Sequence, residues 1–487
     1  MPPDVAAAAA DWPLPNRDHL GTRATTASPI TAANVATLVP AWAATIPPLG
    51  LTGALATNPL VVGDTVFVQD LLSNLYAFER ATGAARWSVA VGYLSVGPNG
   101  AAIGYGRVYA VVGRNLVAAF DAGTGAEQWR VEVPATATEG IDLQPVVYDR
   151  RLYVSTVPVS VFGQFTGGDR GVLHALDVDT GAIVWSFDTV DSPDLWGNPQ
   201  VNSGGGAWFP PAIDAMAGVT YWGTGNPAPF PGIAAFPNAS SRPGPNLYTN
   251  CALAVDAGRG TLRWYRQVQP RDLFDHDFHL TMLADVAVAG GARRLLVGTG
   301  KAGYVHAFDA ADGMPLWRTA VGEHVNDDLL AVPLEPTFVK PGLLGGVMTP
   351  PAYADGTIYV AVNDMATPYQ GDREDHFSFF PYVASARGDL VALDAASGVV
   401  QWTQPLPAAA FGAATVVNDV VLTTAFDGSL HAFARHEGGR PLWSVKAGDG
   451  INGWPAVAGD LVLVPVGLGS PAQLVAYRLP AGVTTAR

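Results

Sequence analysis

An all-β chain folded as an eight-bladed β-propeller, with the N-terminal strand closing the last blade, is the architecture the sequence predicts. Three observations predict it. A motif recurs seven times: a few alternating apolar residues, an acidic or equivalent residue, a short glycine-containing turn, then a tryptophan. The copies are LYAFERATGAARW ending at Trp87, LVAAFDAGTGAEQW at Trp129, LHALDVDTGAIVW at Trp185, ALAVDAGRGTLRW at Trp264, VHAFDAADGMPLW at Trp317, LVALDAASGVVQW at Trp402 and LHAFARHEGGRPLW at Trp443. An eighth copy is divided: LVPAWAATI carries Trp42 with no hairpin before it, while LVLVPV and LVAYRL near the C-terminus have no tryptophan after them. Finally, the shortest tryptophan intervals match a bare blade of about 40–50 residues.

Each copy reads as a β-hairpin, because period-two alternation gives two strands and Asp-x-x-Thr-Gly is turn chemistry with glycine at positive φ. Joining the two termini in one blade closes the ring and leaves no free edge. The predicted boundaries are a single propeller over 12–480, an N-terminal tail over 1–11 and a C-terminal tail over 481–487. Two stretches exceed a bare blade: 226–249, and 319–345 with 365–387. They are too long for turns and are expected to cover one face of the ring, where long loops on a rigid scaffold commonly shape a site.

Composition narrows the function classes. The 487 residues carry 27 Lys plus Arg against 42 Asp plus Glu, a net charge of −15, which argues against a nucleic-acid partner or an anionic membrane. No apolar run approaches the ~18 residues of a membrane helix, so the chain reads as soluble with no membrane span. The start, MPPDVAAAAADW, shows no signal peptide, which leaves open whether one was removed. The lone Cys251 excludes an intramolecular disulfide and a multi-cysteine metal site.

The inner strands of a propeller line its channel. Most of these segments are bland, but GAWFPPAI contributes Trp208, and DHDFH, read as a strand, places Asp275, Asp277 and His279 on one face with His276 opposite. Converging carboxylates must be solvated, paired or bound to a cation. Spacing alone favours a solvated rim here, and Trp208 alone reads as core. Gly298-Thr299-Gly300-Lys301-Ala302-Gly303 fits G-x-G-x-x-G, but the strand YVHAFD follows it, so no helix N-terminus exists to hold a pyrophosphate. Asn238-Ala239-Ser240 matches a glycosylation sequon, a triplet common by chance.

The repeats, GGGAW at 204–208, GTGNPAP at 223–229, and the Asp277 and Lys301 segments, in this order, resemble the pyrroloquinoline quinone (PQQ)-dependent alcohol dehydrogenases. The nearest likeness is to the polyvinyl alcohol dehydrogenase branch, whose N-terminus DWPLPNRDHLGTR also resembles. The resemblance implies that Trp208 is the floor under the quinone and that Asn226 and Asp277 hold Ca²⁺. It implies that Asp277 is the general base and that Lys301 hydrogen-bonds the quinone oxygens. It also implies a small-molecule alcohol substrate, a separate electron acceptor and a periplasmic location, a cytoplasmic one remaining possible without a visible signal.

Several family features are absent. VSTVPVSVFGQF has no acid where the family supplies a glutamate ligand, with Pro158, Val159 or Ser160 in its place; VGYLSVGPNG stands where adjacent cysteines would be; and Asn99 takes the place of a cofactor-binding arginine. No C-x-x-C-H haem motif occurs. The cofactor site thus reads as degenerate. This keeps two other expectations open: a PQQ-free enzyme doing acid–base chemistry as a lyase, cyclase or hydrolase, with Asp277 or His279 as base and Lys301 as partner, and a non-enzymatic binding or assembly scaffold.

Overall fold

The computed structural model describes residues 1–49, 53–95, 97–158, 166–288, 291–374, 380–383 and 385–480. Eight sheets, each built on four antiparallel strands, form the blades of a propeller; blade three adds Glu139–Gly140 and blade seven the parallel strand Ala24–Thr25. Their inner strands are Leu60–Val62, Ala102–Gly104, Val146–Tyr148, Ala212–Asp214, Leu280–Val288, Ala352–Ala354, Thr415–Val417 and Ala456–Ala458. Blade eight takes its outer strand, Val39–Ile46, from the N-terminal side and pairs it with Ala472–Arg478, as the divided repeat predicts.

The repeat has a physical job at both of its ends. In the turn, the Asp121 carboxylate accepts the amides of Gly123 and Thr124 and the Thr124 hydroxyl, an Asx-type cap repeated at Asp177. The tryptophan reaches out of its own blade. Trp87 Nε1 donates to the carbonyl of Ala122 in the next blade at 3.0 Å, and its indole lies where a Cβ on Gly125 would come within 2.8 Å. Glycine there serves twice, allowing φ of +74° and the close approach. Trp42, Trp129, Trp185, Trp264, Trp317 and Trp402 make the same bond to the following blade. Trp443 instead packs edge-on against Tyr477, with centroids 5.9 Å apart.

Residues 1–11, expected as a tail, are bound to the ring. Pro3–Ala7 is helical, Val5 is buried, and the Asp4 carboxylate accepts the amides of Tyr105 and Gly106 in blade two. The chain then runs as a strap under all the blades. Trp12 bridges Val61 of blade one, His19 bonds Val147 and Ile213 of blades three and four, and the carbonyls of Leu20, Thr22 and Arg23 accept amides from Leu283, Tyr353 and Val416 of blades five to seven. Ser28 then donates to Gly459 of blade eight. The C-terminal tail, 481–487, lies outside the described residues.

The two insertions meet over one face. Strand Pro227–Ala228 pairs with Ser203–Gly204, and Thr337–Val339 with Thr367–Tyr369. Asn238 joins them: its side chain bonds both the amide and the carbonyl of Val332, and its own amide donates to Gly371 O. With both amide atoms of its side chain engaged, the sequon at Asn238 is a structural rivet. Ala228, Phe230, Leu273, Phe274, Val332, Val339 and Tyr369 share one apolar cluster, so the roof has its own core. Part of the 365–387 stretch lies outside the described residues.

Candidate functional site

The site begins with how GTGNPAPF ends its strand. Val219–Gly223 stops, Thr224 forms a lone bridge with Phe278, and the Asn226 main-chain amide donates to Asp277 Oδ1 at 2.6 Å. Gly225 allows this: a Cβ there would lie 2.8 Å from Asp277 Oδ1 and 3.1 Å from Trp208 Nε1. The false dinucleotide motif serves the same end, because the Lys301 amide donates to Asp277 O and a Cβ on Gly300 would overlap that oxygen at 1.8 Å. These glycines exist for close backbone approach.

The strand expected over DHDFH is a correction. Regular pairing starts at Leu280, and Asp275 sits at φ +61°, so 275–277 is an irregular loop. Alternation therefore does not align the carboxylates; Lys301 does. Its ammonium lies 2.6 Å from Asp275 Oδ2 and 2.6 Å from Asp277 Oδ2. His279 Nδ1 is 3.7 Å from Asp277 Oδ2, beyond hydrogen-bond range. Its ring stacks on Phe209 at 5.0 Å, and neither ring nitrogen has a partner among the described residues. His276 does face away, with Nε2 donating to Pro341 O at 2.9 Å.

Burial and charge act differently on each group. For Lys301 burial works against the ammonium, but the Asp275 and Asp277 carboxylates outweigh it and raise its pKa. Burial likewise tends to raise Asp277, yet Lys301 and then His279 hold it below the usual carboxylate range. Burial raises Asp275 well above that range, the Asp277 charge adding to it against Lys301. Burial also lowers His279. The cluster thus separates a strongly acidic carboxylate from a more basic one.

The other expected residues fall in two places. Trp208 is half-buried beside Gly225 and packs on the core that includes Phe209 and Trp454. The Asn226 side chain donates through Nδ2 to Pro227 O at 3.3 Å. Asn99 is buried on blade two, bonded to Asp70 O at 3.1 Å, with Oδ1 unpartnered among the described residues. It makes no contact with the lysine cluster. Val159 and Ser160 lie outside the described residues; Pro158 pairs in register with Glu139, whose two carboxylate oxygens accept the amides of Thr136 and Arg170.

The donor set fits a hard cation. Asp277 and the Asn226 side-chain oxygen are hard oxygen donors of the kind such a cation takes. Trp208, which is only partly buried, lies beside them as an aromatic group against which a planar ring could pack.

The profile of a family described as the PQQ glucose/ethanol/alcohol dehydrogenase β-propeller domain matches residues 12–95 and 137–328, and one for the outer membrane protein assembly factor BamB matches 380–484. A lanthanide-dependent methanol dehydrogenase of Methylacidiphilum fumariolicum is 26% identical over 91% of this chain and 82% of its own. The quinohemoprotein alcohol dehydrogenase of Comamonas testosteroni is 24% identical over 93% of this chain and 71% of its own. Its crystal structure superposes with a TM-score of 0.83, at 22% identity, covering 99% of this chain and 82% of that one. A europium-containing methanol dehydrogenase gives 0.77, at 20% identity, over 97% and 98%. With more than half of its length matched by that first profile, the chain belongs to the PQQ-dependent glucose, ethanol and alcohol dehydrogenase family.

Proposed function

We propose that this protein oxidises an alcohol in the propeller channel with PQQ and a metal ion, Ca²⁺ or a lanthanide, and passes the electrons to a separate acceptor. The observation that carries the reading is the Lys301 ammonium held between two buried carboxylates beside Asn226 and Trp208. PQQ supplies the hydride acceptor and the metal supplies Lewis acidity. The protein's part is to position and to move a proton.

Asp277, the base expected from the sequence, has both oxygens engaged, by the Asn226 amide and by Lys301. Asp275 binds Lys301 through Oδ2 alone and is the more basic of the two. We therefore assign the alcohol proton to Asp275 and metal holding to Asp277 with Asn226. Trp208 supports the quinone plane. Lys301 stays charged and faces the oxygens of the bound cofactor. Asn99, enclosed on blade two with its side chain bonded to Asp70 O, is left without a role toward the cofactor. The substrate is an alcohol, taken as larger than methanol because long insertions rather than tight turns cover the face of the ring that carries the site.

The test is a titration of the metal-stripped protein with PQQ, with Ca²⁺ or La³⁺ and without, followed by dye-linked alcohol oxidation. Asp277→Asn is expected to weaken metal-dependent PQQ binding at least tenfold. Asp275→Asn is expected to keep that binding and lose turnover. Turnover of a non-alcohol substrate without PQQ would overturn the reading.

A further inference from the structure

The loop that delivers Asp275 and Asp277 has no regular secondary structure of its own, so something else must hold it. Asp272 does so. Its Oδ1 accepts the Phe274 amide at 2.8 Å and Gln269 Nε2 at 3.2 Å; its Oδ2 accepts the His276 amide at 2.6 Å and Asn250 Nδ2 at 3.1 Å. All four partners are neutral N–H groups, and the residue is 1% exposed. A buried carboxylate among neutral donors is costly unless its geometry matters.

The geometry here is the turn itself. Capping the amides of residues 274 and 276 forces the chain to reverse between them, which is where Asp275 takes its left-handed φ of +61°. The loop is braced from the roof as well. Arg242, fully buried with no carboxylate on its guanidinium, donates through Nη2 to Asp272 O at 2.6 Å and Pro229 O at 2.8 Å, and through Nη1 to Asn246 Oδ1 at 3.0 Å. Tyr369 OH from the second insertion donates to Phe274 O at 2.7 Å. Both insertions therefore grip the segment that carries the reacting carboxylates.

We infer that Asp272 is a positioning residue: it folds the 272–276 turn so that Asp275 and Asp277 meet on Lys301, and the roof braces that turn through Arg242 and Tyr369. The assignment rests on the proposed function for its catalytic meaning, but the placement can be read without it. Asparagine at position 272 keeps the shape while turning two of the four acceptor contacts into facing N–H groups.

The experiment combines the crystal structure of the full-length Asp272→Asn variant with the single-turnover rate of the PQQ- and metal-loaded enzyme, a rate that does not depend on the active fraction. The expected result is that Lys301 to Asp275 lengthens from 2.6 Å to beyond hydrogen-bond range, and that the rate falls about 100-fold, the scale of an ångström-sized misplacement. Gln269→Leu, which removes one outer partner and leaves the main-chain caps, is expected to fold and to lose roughly three- to tenfold; it serves if Asp272→Asn does not fold. Retention of both Lys301 bonds, or a rate within threefold of wild type, would overturn the inference. A loaded wild-type enzyme that never turns over would refute the proposed function alone, the variant structure still deciding the role of Asp272.

Discussion

Arg23 and Lys301, two cations enclosed on opposite faces of the ring, are neutralised in opposite ways. Arg23, on the strap side of the ring, has no carboxylate partner. Its guanidinium donates to the carbonyls of Ala414 and Pro455, the amide oxygens of Asn16 and Asn58 and the Thr415 hydroxyl, between the rings of Trp12 and Trp454. Lys301, on the roof side, sits between two carboxylates. Burial accordingly lowers Arg23 to about 9, whereas the carboxylates raise Lys301. Neutral dipoles suffice where the cation only ties blades seven, eight and one together. Carboxylates surround the cation where the proposed function places the reacting groups.

Removing the charges should separate the two roles. Lys301→Met leaves two carboxylates together without a cation; a turnover loss of about 10²–10³-fold and a stability loss of about 3–5 kcal/mol are expected, checked by dye-linked oxidation and urea unfolding. Arg23→Met should cost about 2–4 kcal/mol, because several buried acceptors lose their donors, while the single-turnover rate of the folded enzyme stays within threefold. Equal loss of rate in both variants would erase the distinction.

Gly125→Ala tests the frame common to both faces. Its Cβ would meet the Trp87 indole at 2.8 Å in a left-handed conformation, so a loss of about 1–3 kcal/mol is expected in thermal or urea unfolding with no change in PQQ binding. A stability unchanged within 0.5 kcal/mol, the ordinary surface range, would mean that the blade junctions are not tight.

A further effect concerns pH. His174 and His306 are lowered by burial to about 4 and about 3. Between the ordinary histidine value and these folded values the unfolded chain binds more protons, so stability falls as pH drops from about 6.5 toward 4, by up to about 1.4 kcal/mol per pH unit for each. The Lys301 ammonium, with a raised pKa, contributes fully below the ordinary lysine value and is lost only at higher pH, so it adds no slope there, while Asp275, also raised, adds a slope of opposite sign above the ordinary carboxylate value. His174→Asn should flatten the acid limb of an unfolding-midpoint profile measured from pH 7 to 4.5.

The ring was readable in advance because its information is local and repeated: each Trp, each turn Asp and each turn Gly recurs at its offset, and blade-to-blade contact needs only the next copy. The strap was not. Residues 1–11 have no periodicity, and their partners, such as the Asp4 carboxylate on the amides of Tyr105 and Gly106, are main-chain groups that any residue offers.

The site divides along the same line. Motif order, through the family resemblance it carries, marked out Trp208, Asn226, Asp277 and Lys301 as residues of interest. Their arrangement depended on the folded chain. Asp275 reaches Lys301 through a left-handed turn that breaks the alternation, Asn226 meets Asp277 with its amide rather than its side chain, and Asn99 lies apart on blade two. Residue identity sets which charges a channel must accommodate; which of them share a partner is set by backbone turns and by glycines that let strands from different blades touch, a property of packing that no local pattern encodes.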